Sequence, residues 1–424
     1  MWLNQNVVIY NFLLCQLHKI SVCSTVIFCF NAIYANNRSV IKSFISPFQK
    51  KDSSMPAISG PSAGPVAVTG ASGFIGSHVV KNLVEAGYRV RACVRDASRT
   101  DKMAYLLAMD EKGPGSIELH NCDLMEAKNG AYDDVFAGCS AVFHVAADLG
   151  TDPKYGPPSP QVTYDSLLAA TAGVLDSCKK AESVKRVIYT SSSAAVMGPG
   201  SADRAIDHIY TEDDWAGGSY ETLDERYTAT NREGKVFKNW NIERSAYAKG
   251  KLDSEKYAYK FGEETGIDVV SVCPCHVLGP LMGAPHNSVW QERIGIFLEG
   301  GNGNFKGDGQ AWNIIDVRDI AETQRLLVTS EVATNGSRYL MVATDESGEP
   351  TTKELLETLG TLFPNIDVAR DYKPEQLDHR LRARCTKAID QLGLKPHPVL
   401  ETLRDTANSL MNLGVITPVM KTNA

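Results

Sequence analysis

The feature that most constrains this chain is a glycine-rich loop between a short apolar run and a helical pattern. Glycines stand at positions 70, 73 and 76, after the run Val66–Val68 and at the start of the amphipathic stretch Phe74–Ala86. Such a run predicts a strand, and apolar residues at helical spacing predict a helix. Gly70 permits a tight turn, and Gly73 lets a pyrophosphate approach the backbone. Gly76 lets the helix pack closely on the strand. The loop predicts a dinucleotide site, with an ordinary strand–helix turn as the alternative.

The alternation of strand and helix continues along the chain. Further strands are predicted at 89–94, 117–119, 141–146, 184–190 and 267–273, and helices at 166–181 and 245–265. Residues 314–319 and 339–343 are expected to return to the main sheet. Repeated strand–helix units form right-handed crossovers between parallel strands. The chain is therefore predicted to be an α/β protein, a Rossmann-type doubly wound parallel sheet with a smaller C-terminal substrate-binding lobe.

Composition suggests how the chain divides into segments. We expect an N-terminal extension at 1–54, a linker at 55–65, the NAD(P)-binding Rossmann domain at 66–274, a substrate-binding lobe at 275–414 with segments that return to the sheet, and a tail at 415–424. The extension contains one acid, Asp52, and its apolar run is shorter than the ~20 residues of a membrane-spanning helix. Three interpretations stay open: a signal peptide or anchor, a transit peptide, or untranslated sequence upstream of a start at Met55.

Charge and cysteine content exclude several classes of protein. The chain carries 43 basic and 50 acidic side chains, a net charge of −7, so a broad basic face for nucleic acid is not expected. The ten cysteines show no spacing typical of zinc ligands, and no metal site is predicted. Scattered thiols favour a reducing compartment, which we take to be the cytoplasm. Delivery to an organelle or the endoplasmic reticulum through the extension is the alternative.

The end of the second predicted strand indicates which dinucleotide binds. NAD sites usually place an acid about 20 residues beyond the loop, where it binds the ribose 2′-hydroxyl. Arg95 stands at that position here, and a guanidinium matches a 2′-phosphate. We therefore predict NADPH, with NADH bound through Asp96 as the alternative. The remaining dinucleotide contacts are predicted at Phe74, Ile75, Asp123, Leu124, Val145, Ala146 and Ala147.

Two further motifs carry chemistry. Of sixteen tyrosines, only Tyr247 is followed four residues later by a lysine, Lys251. On a helix these residues share a face, where the lysine can hold a nicotinamide ribose and favour the phenolate. The fifth predicted strand ends in serines 191–193, whose hydroxyls can bind a carbonyl oxygen. Tyr247 can then protonate that oxygen as hydride arrives. A surface Tyr–Lys pair is the alternative for this motif alone.

Together these segments resemble the extended short-chain dehydrogenase/reductases, in particular the dihydroflavonol reductase and cinnamoyl-CoA reductase group. The resemblance spans 66–414 and is carried by five stretches, VTGASGFIGS at 68–77, VRACVRD at 90–96, VFHVA at 142–146, SVKRVIYTSS at 183–192 and PCHVLGP at 274–280. It implies that Ser192, Tyr247 and Lys251 are catalytic, with Ser193 as the runner-up for the serine. It also implies that Arg95 binds the 2′-phosphate and that Pro274 and Val277 pack on the nicotinamide.

The chain departs from this group in places. Ala169-Ala170-Thr171 stands where the group usually has Asn-Gly-Thr, and Ala147-Asp148 where it commonly has Thr or Ser and then Pro. The signature Asn-Trp-Tyr-Cys-Tyr-Gly-Lys is not intact, and Gly217–Arg244 is longer and more polar than the resemblance implies. That stretch is expected near the substrate mouth. A flavonoid or cinnamoyl substrate is therefore not carried over.

Other residues have structural interpretations. His144 and His276 are expected to pack or hydrogen-bond near the cofactor, and Asp316 and Asp319 to cap the helix that follows them. Four tryptophans either line a substrate pocket or pack in the core, namely Trp215, Trp240, Trp290 and Trp312.

The leading hypothesis is an NADPH-dependent oxidoreductase that reduces an aldehyde or ketone group on a small organic molecule. Two alternatives stay open. One is an NAD-dependent sugar-nucleotide epimerase/dehydratase or a 3-beta-hydroxysteroid dehydrogenase, and the other is a non-catalytic NAD(P)-binding regulatory protein. The expected partner is a small-molecule carbonyl or alcohol substrate. A homodimer is compatible with the sequence, and neither nucleic acid nor a stable membrane partner is expected for the catalytic domain.

Overall fold

A computed structural model describes the chain at 58–110, 113–148, 159–197, 208–216, 228–230, 236–238, 242–301, 312–342, 350–369 and 382–422. All of these residues belong to one compact unit, 55–424. The extension at 1–54 lies outside the described residues, so its three interpretations stay predictions.

The described residues contain thirteen strands, seven of which form one parallel sheet. In chain order they are β1 (Val66–Thr69), β2 (Arg89–Val94), β3 (Ser116–Asn121), β4 (Ala141–His144), β5 (Arg186–Thr190), β6 (Ile209–Tyr210), β7 (Thr228–Thr230), β8 (Val236–Lys238), β9 (Asp268–Pro274), β10 (His276–Leu278), β11 (Ile314–Asp316), β12 (Arg338–Met341) and β13 (Arg382–Ala383). The main sheet has the order β12-β9-β5-β4-β1-β2-β3. The predicted doubly wound parallel sheet is confirmed.

Helices connect the strands and cover the sheet. They are α1 (Phe74–Glu85), α2 (Ala104–Asp110), α3 (Asp133–Phe136), α4 (Pro160–Lys180), α5 (Ala194–Met197), α6 (Ile242–Thr265), α7 (Val289–Leu298), α8 (Val317–Thr329), α9 (Thr352–Leu362), α10 (Thr386–Leu392) and α11 (Val399–Asn412). The helix predicted at 166–181 begins earlier, at Pro160. Ser159 caps it by accepting a hydrogen bond from the Val162 backbone N–H at 3.2 Å. Proline is well suited to this first helical position, where no N–H is needed.

Alternating strand residues build a hydrophobic core on each face of the sheet. On β1, Val66 and Val68 belong to the cluster that includes residues of α1 and α8, whereas Ala67 belongs to the cluster that includes residues of α4 and α6. Helices α4 and α6 pack closely, because a Cβ on Gly250 of α6 would lie 2.6 Å from Leu167 Cδ1 of α4. Burial on both faces explains why β1 begins with the continuous apolar run Val66–Val68.

The C-terminal segments build a separate hydrophobic cluster. Its largest buried side chain is Trp312, which packs with Phe297 of α7, Leu355 of α9 and Leu403 of α11. The buried members of this cluster lie between Leu278 and Ile416, while β12 of the same C-terminal part pairs with β9 in the main sheet. The predicted domain boundaries stay predictions.

The prediction that 314–319 returns to the main sheet was wrong. β11 covers Ile314–Asp316 and pairs in parallel with β10, in a two-stranded sheet of its own. The residues that follow begin helix α8, and Asp316 caps it by accepting from the Arg318 N–H at 2.8 Å, as predicted. Asp319 is not a cap, since its carboxylate binds the His397 side chain and backbone instead. The pairing partner β10 adjoins β9 in the chain, and apolar periodicity does not distinguish between the two.

The long polar stretch before α6 is described only in part. Within it, β7 and β8 form an antiparallel pair. Most of Gly217–Arg244, including Trp240, lies outside the described residues. Across the part of the chain that the structure describes, no helix combines the length and apolarity needed to span a bilayer.

Substitution of Gly76 tests the turn between β1 and α1. A Cβ on this residue would lie 2.1 Å from the Gly70 carbonyl oxygen, a backbone atom that cannot rotate away. Gly76→Ala is expected to lower the free energy of unfolding by about 2–3 kcal/mol, the usual range for overpacking. The measurement is urea denaturation followed by circular dichroism.

Gly360→Ala is the matched control. This glycine lies inside α9, and its Cβ would meet nothing within 4 Å. Alanine should there leave stability unchanged or raise it by up to about 1 kcal/mol. Equal stability of the Gly76 and Gly360 variants would contradict the predicted contact.

Candidate active site

The glycine loop forms a turn that only glycines permit. Gly70 has φ +66°, and a Cβ there would lie 3.0 Å from the Ala146 Cα. Gly73 immediately precedes α1, and a Cβ on it would meet only the Gly70 carbonyl oxygen, at 3.3 Å. The N-terminus of α1 therefore stays open on the side where a pyrophosphate would approach.

A cavity of about 800 Å³ runs along the carboxyl ends of the strands. Its lining includes every predicted dinucleotide residue of the loop and of the ends of β2, β3 and β4, and Val277 from β10. These residues are Gly70, Gly73, Phe74, Ile75, Gly76, Arg95, Asp123, Leu124, Val145, Ala146, Ala147 and Val277. The predicted contacts Tyr247, Lys251 and Pro274 are not among the lining residues. The cavity lies where the strand order reverses between β1 and β4, the place where open α/β sheets bind ligands.

Several lining residues were not predicted as dinucleotide contacts. They are Ser72, Cys93, Val94, Cys122, Met125, Tyr132, Asp148, Ser288 and Trp290. Ser72 and Cys122 adjoin predicted positions, so a prediction extended by one residue includes them. Ser288 and Trp290 come from the start of α7, and only the fold brings that helix to the sheet edge.

Thr69 organises the backbone at the end of β4. Its hydroxyl accepts hydrogen bonds from the backbone N–H groups of Val145 and Ala146, each at 3.1 Å. It also contacts His144 Nδ1 at 2.9 Å, and we assign the hydroxyl as the donor there. Burial lowers the pKa of His144 to about 3, so its imidazole is neutral. The predicted structural role of His144 agrees with these contacts.

Arg95 and Asp96 at the end of β2 have different environments. The Arg95 side chain is exposed and lines the cavity. Asp96 accepts hydrogen bonds from the Ser98 backbone N–H at 3.0 Å and from its hydroxyl at 2.5 Å, and these bonds lower the pKa of Asp96. The Asp96 carboxylate is therefore engaged in a local turn, which favours Arg95 as the residue that selects the dinucleotide.

Ser192 and Tyr247 are neighbours, since the Ser192 hydroxyl acts on the pKa of Tyr247. Ser192 is the second residue after β5 and is buried, and its Oγ accepts from the Ala194 backbone N–H at 3.1 Å. Burial raises the pKa of Tyr247, while the hydrogen bond from the Ser192 hydroxyl opposes that effect. The runner-up, Ser193, donates its backbone N–H to the Pro274 carbonyl oxygen at 2.9 Å, a contact that aligns β5 with β9.

Lys251 lies one turn after Tyr247 on α6 and is 4% exposed. Its Nζ donates a hydrogen bond to the Thr190 carbonyl oxygen at 3.1 Å. Burial lowers the pKa of Lys251 to about 8, against the opposing charge of Glu255. The structure thus brings Ser192, Tyr247 and Lys251 together at the carboxyl end of β5, as the sequence predicts.

Three of the four tryptophans can now be placed. Trp312 is fully buried in the lobe, and Trp215 stacks on the Arg338 guanidinium with 3.6 Å between Cζ and the ring centroid. Trp290 lines the cavity and stacks on His276 with ring centroids 3.7 Å apart. Trp290 is therefore the tryptophan of these three that faces a ligand.

Comparisons with known proteins agree with this geometry. The model of the NAD dependent epimerase/dehydratase family matches residues 66–341. Tetraketide alpha-pyrone reductase 1 of Arabidopsis thaliana is 31% identical over 84% of this chain and 98% of its own length. Cinnamoyl-CoA reductase CAD2 of Medicago truncatula is 30% identical over 81% and 95%. The yeast methylglyoxal/isovaleraldehyde reductase Gre2, solved as an NADPH complex, has the same fold, with a TM-score of 0.65, 24% identity, and coverage of 83% of this chain and 100% of its own.

Replacement of Arg95 tests the selection of the dinucleotide. Arg95→Ala removes a cation that a 2′-phosphate would bind, and a charge-assisted hydrogen bond contributes about 1.5–3 kcal/mol. We expect NADPH to bind about 10- to 100-fold more weakly and NADH to bind as before. The measurement is a fluorescence titration with each dinucleotide.

Asp96→Ala serves as the control in the same turn. Since the Asp96 carboxylate is occupied by Ser98, this variant should keep the preference for NADPH. Loss of NADH binding in Asp96→Ala, with an unchanged preference in Arg95→Ala, would assign the ribose to Asp96 instead.

Proposed function

The chain belongs to the NAD dependent epimerase/dehydratase family, and within it we propose that this protein is an oxidoreductase that uses NADPH to reduce an aldehyde or ketone group on a small organic molecule. The observation that carries the proposal is the hydrogen bond of 3.1 Å from Lys251 Nζ to the Thr190 carbonyl oxygen, which joins the helix of Tyr247 and Lys251 to the end of β5 that carries Ser192. The names of the relatives with 30–31% identity support it, because each is a reductase matched over most of its length.

The residues of the cavity fit NADPH. The glycine loop leaves room for a pyrophosphate at the N-terminus of α1, and the exposed Arg95 offers a cation to a 2′-phosphate. Val277 and Trp290 supply apolar surface to the lining. NADPH, when bound, supplies the hydride that reduces the carbonyl carbon.

The three polar residues divide the remaining work. The Ser192 hydroxyl donates a hydrogen bond to the substrate carbonyl oxygen and polarises it. The Tyr247 hydroxyl donates its proton to that oxygen, which becomes the alcohol. The Lys251 ammonium, held by the Thr190 carbonyl, binds ribose hydroxyls and favours the tyrosinate that remains.

An epimerase or dehydratase activity is the second candidate, since the family model that matches the chain carries that name. Such enzymes retain NAD and recycle it. The exposed cation of Arg95 at the cavity argues against this candidate. Tightly bound NAD in the purified protein would support it.

We further propose that the protein works in a reducing compartment such as the cytoplasm. Six cysteines in the described part of the chain are buried thiols outside any disulfide, namely Cys93, Cys122, Cys139, Cys178, Cys273 and Cys385. Buried free thiols are typical of proteins that fold where disulfides are kept reduced.

Tyr247→Phe tests the assignment of the proton donor. The variant removes only the hydroxyl, so NADPH should bind as before while kcat falls by at least about 100-fold, the usual contribution of a general acid. Tyr257→Phe on the same helix, where Tyr257 is 40% exposed, should keep full activity. NADPH oxidation in the presence of any accepted carbonyl measures both, and full turnover by Tyr247→Phe would overturn the mechanism.

The pKa of Lys251 predicts the pH above which kcat/KM for NADPH declines. The residue is a cation below about 8 and loses its proton as the pH rises through that value. We expect kcat/KM for NADPH, which reports the free enzyme, to fall over the same range. Tyr247 cannot cause this fall of kcat/KM, because burial raises the pKa of Tyr247 above its ordinary value. Lys249→Met should show the same fall of kcat/KM with pH, since Lys249 pairs with Asp253 on another side of α6. A flat profile up to pH 9.5 would contradict the assignment.

A further inference from the structure

A buried carboxylate lies one turn beyond Lys251 on α6. Glu255 is fully buried, and each of its oxygens has several partners. Oε1 accepts from Ser271 Oγ at 2.6 Å, Tyr259 OH at 2.8 Å and Arg338 Nε at 2.7 Å. Oε2 accepts from Ser191 Oγ at 2.7 Å and Arg338 Nη2 at 3.3 Å. The carboxylate is thus saturated, and one of its partners is the neighbour of Ser192.

The partner cation extends the network away from the helix. Arg338 of β12 is 4% exposed, and its Nη1 donates to the carbonyl oxygens of Glu212 at 3.1 Å and Asp214 at 2.6 Å. Its Nη2 also reaches the Ala195 carbonyl at 3.4 Å, and the Trp215 ring covers the guanidinium. The Glu255–Arg338 pair therefore joins α6 and the end of β5 to residues 211–216, which lead into the long polar stretch.

Stability alone does not account for this pair. Burying two charges has a large desolvation cost, and well-packed apolar residues in the same place are often as stable or more so. A second buried guanidinium, that of Arg186, gives a comparison. Arg186 of β5 bonds Asp268 of β9 at 3.1 Å, at the opposite end of these strands from Ser192. Of the two ion pairs, only Glu255–Arg338 touches the neighbour of a proposed catalytic residue.

We propose that Glu255 is a positioning residue for carbonyl reduction, which holds the Ser191–Ser192 end of β5 against the helix that carries Tyr247 and Lys251. This inference rests on the proposed function, because the positioning affects turnover only if Ser192, Tyr247 and Lys251 act in carbonyl reduction. The bond from Ser191 Oγ is the link, because it joins the residue beside Ser192 to the same helix, two turns after Tyr247. Loss of this link frees the strand end to shift, and small misplacements of reacting groups reduce turnover strongly.

The charge of Glu255 has a second consequence at Lys251. The groups that face the Lys251 ammonium are Tyr247 and Glu255 on α6, the Tyr189 ring on β5, His144 on β4 and Cys273 on β9. Burial raises the pKa of Tyr189, Tyr247 and Cys273 and lowers that of His144, so all four are neutral near pH 7. Arg338 lies beyond Glu255 and is paired with it. Glu255 is therefore the anion that keeps the pKa of Lys251 from falling further.

Three variants of the full chain separate positioning from stability. Ser191→Ala removes the link and leaves the ion pair, Glu255→Gln removes the charge, and Asp268→Asn breaks the ion pair at the other end of the strands. Each variant is measured for thermal melting, for NADPH affinity by fluorescence from pH 6 to 9.5, and for kcat with an accepted carbonyl substrate.

Ser191→Ala is expected to lose about tenfold in kcat while its NADPH affinity and pH profile stay within about twofold of the parent. Glu255→Gln should move the loss of NADPH affinity with rising pH downward by about half a pH unit or more, since the ammonium has lost its anion. Asp268→Asn is expected to melt at a lower temperature with kcat and pH profile unchanged.

The outcomes distinguish this inference from the proposed function. Unchanged kcat in Ser191→Ala, or equal loss of kcat in Ser191→Ala and Asp268→Asn, would overturn the positioning role even if Glu255→Gln fails to fold. A parent chain that binds NADPH but reduces no carbonyl overturns the proposed function. In that case the effect of Glu255 on Lys251 is tested by Glu255→Gln alone, and an unshifted pH profile of NADPH affinity would contradict it. A parent chain that does not bind NADPH overturns both.

Discussion

The contact between Gly76 and the Gly70 carbonyl oxygen determines where α1 leaves the central strand β1. With no Cβ at Gly76, the helix begins directly above the strand end and presents its free N–H groups at the carboxyl edge of the sheet. β1 lies between β2 and β4, so this edge is also the point where the strand order reverses. The cavity, the Arg95 cation and the end of β4 all take their places relative to that turn.

The proposed catalytic residues depend on a different part of the fold. Tyr247 and Lys251 are fixed to each other by one helical turn, whereas Ser192 belongs to the end of a strand. Their relation is therefore a matter of tertiary packing, and buried polar contacts from Lys251 to Thr190 and from Glu255 to Ser191 join the helix to that strand. Burial makes these contacts consequential, because polar groups removed from water must find partners within the protein.

Much of the fold and the site could be predicted from sequence because the evidence for them is local. Helical and strand periodicity gave the order of elements, and short motifs marked the loop, Arg95 and the Tyr–Lys pair. The errors arose where distant segments meet. β11 has the apolar pattern of a main-sheet strand, yet it pairs with β10. The Glu255–Arg338 pair has no local pattern, since 83 residues separate its members. For Trp290 the sequence left pocket and core open, and only the fold decides between them.

The most direct test of carbonyl reduction follows the hydride itself. Protein is incubated with NADPH deuterated at the transferable position and a panel of aldehydes and ketones, and the products are analysed by mass spectrometry. The account predicts an alcohol that carries one deuterium on the former carbonyl carbon, with one NADPH oxidised for each molecule formed. Turnover in which the label returns to the dinucleotide, with no net oxidation of NADPH, would contradict it and identify an epimerase-type cycle instead.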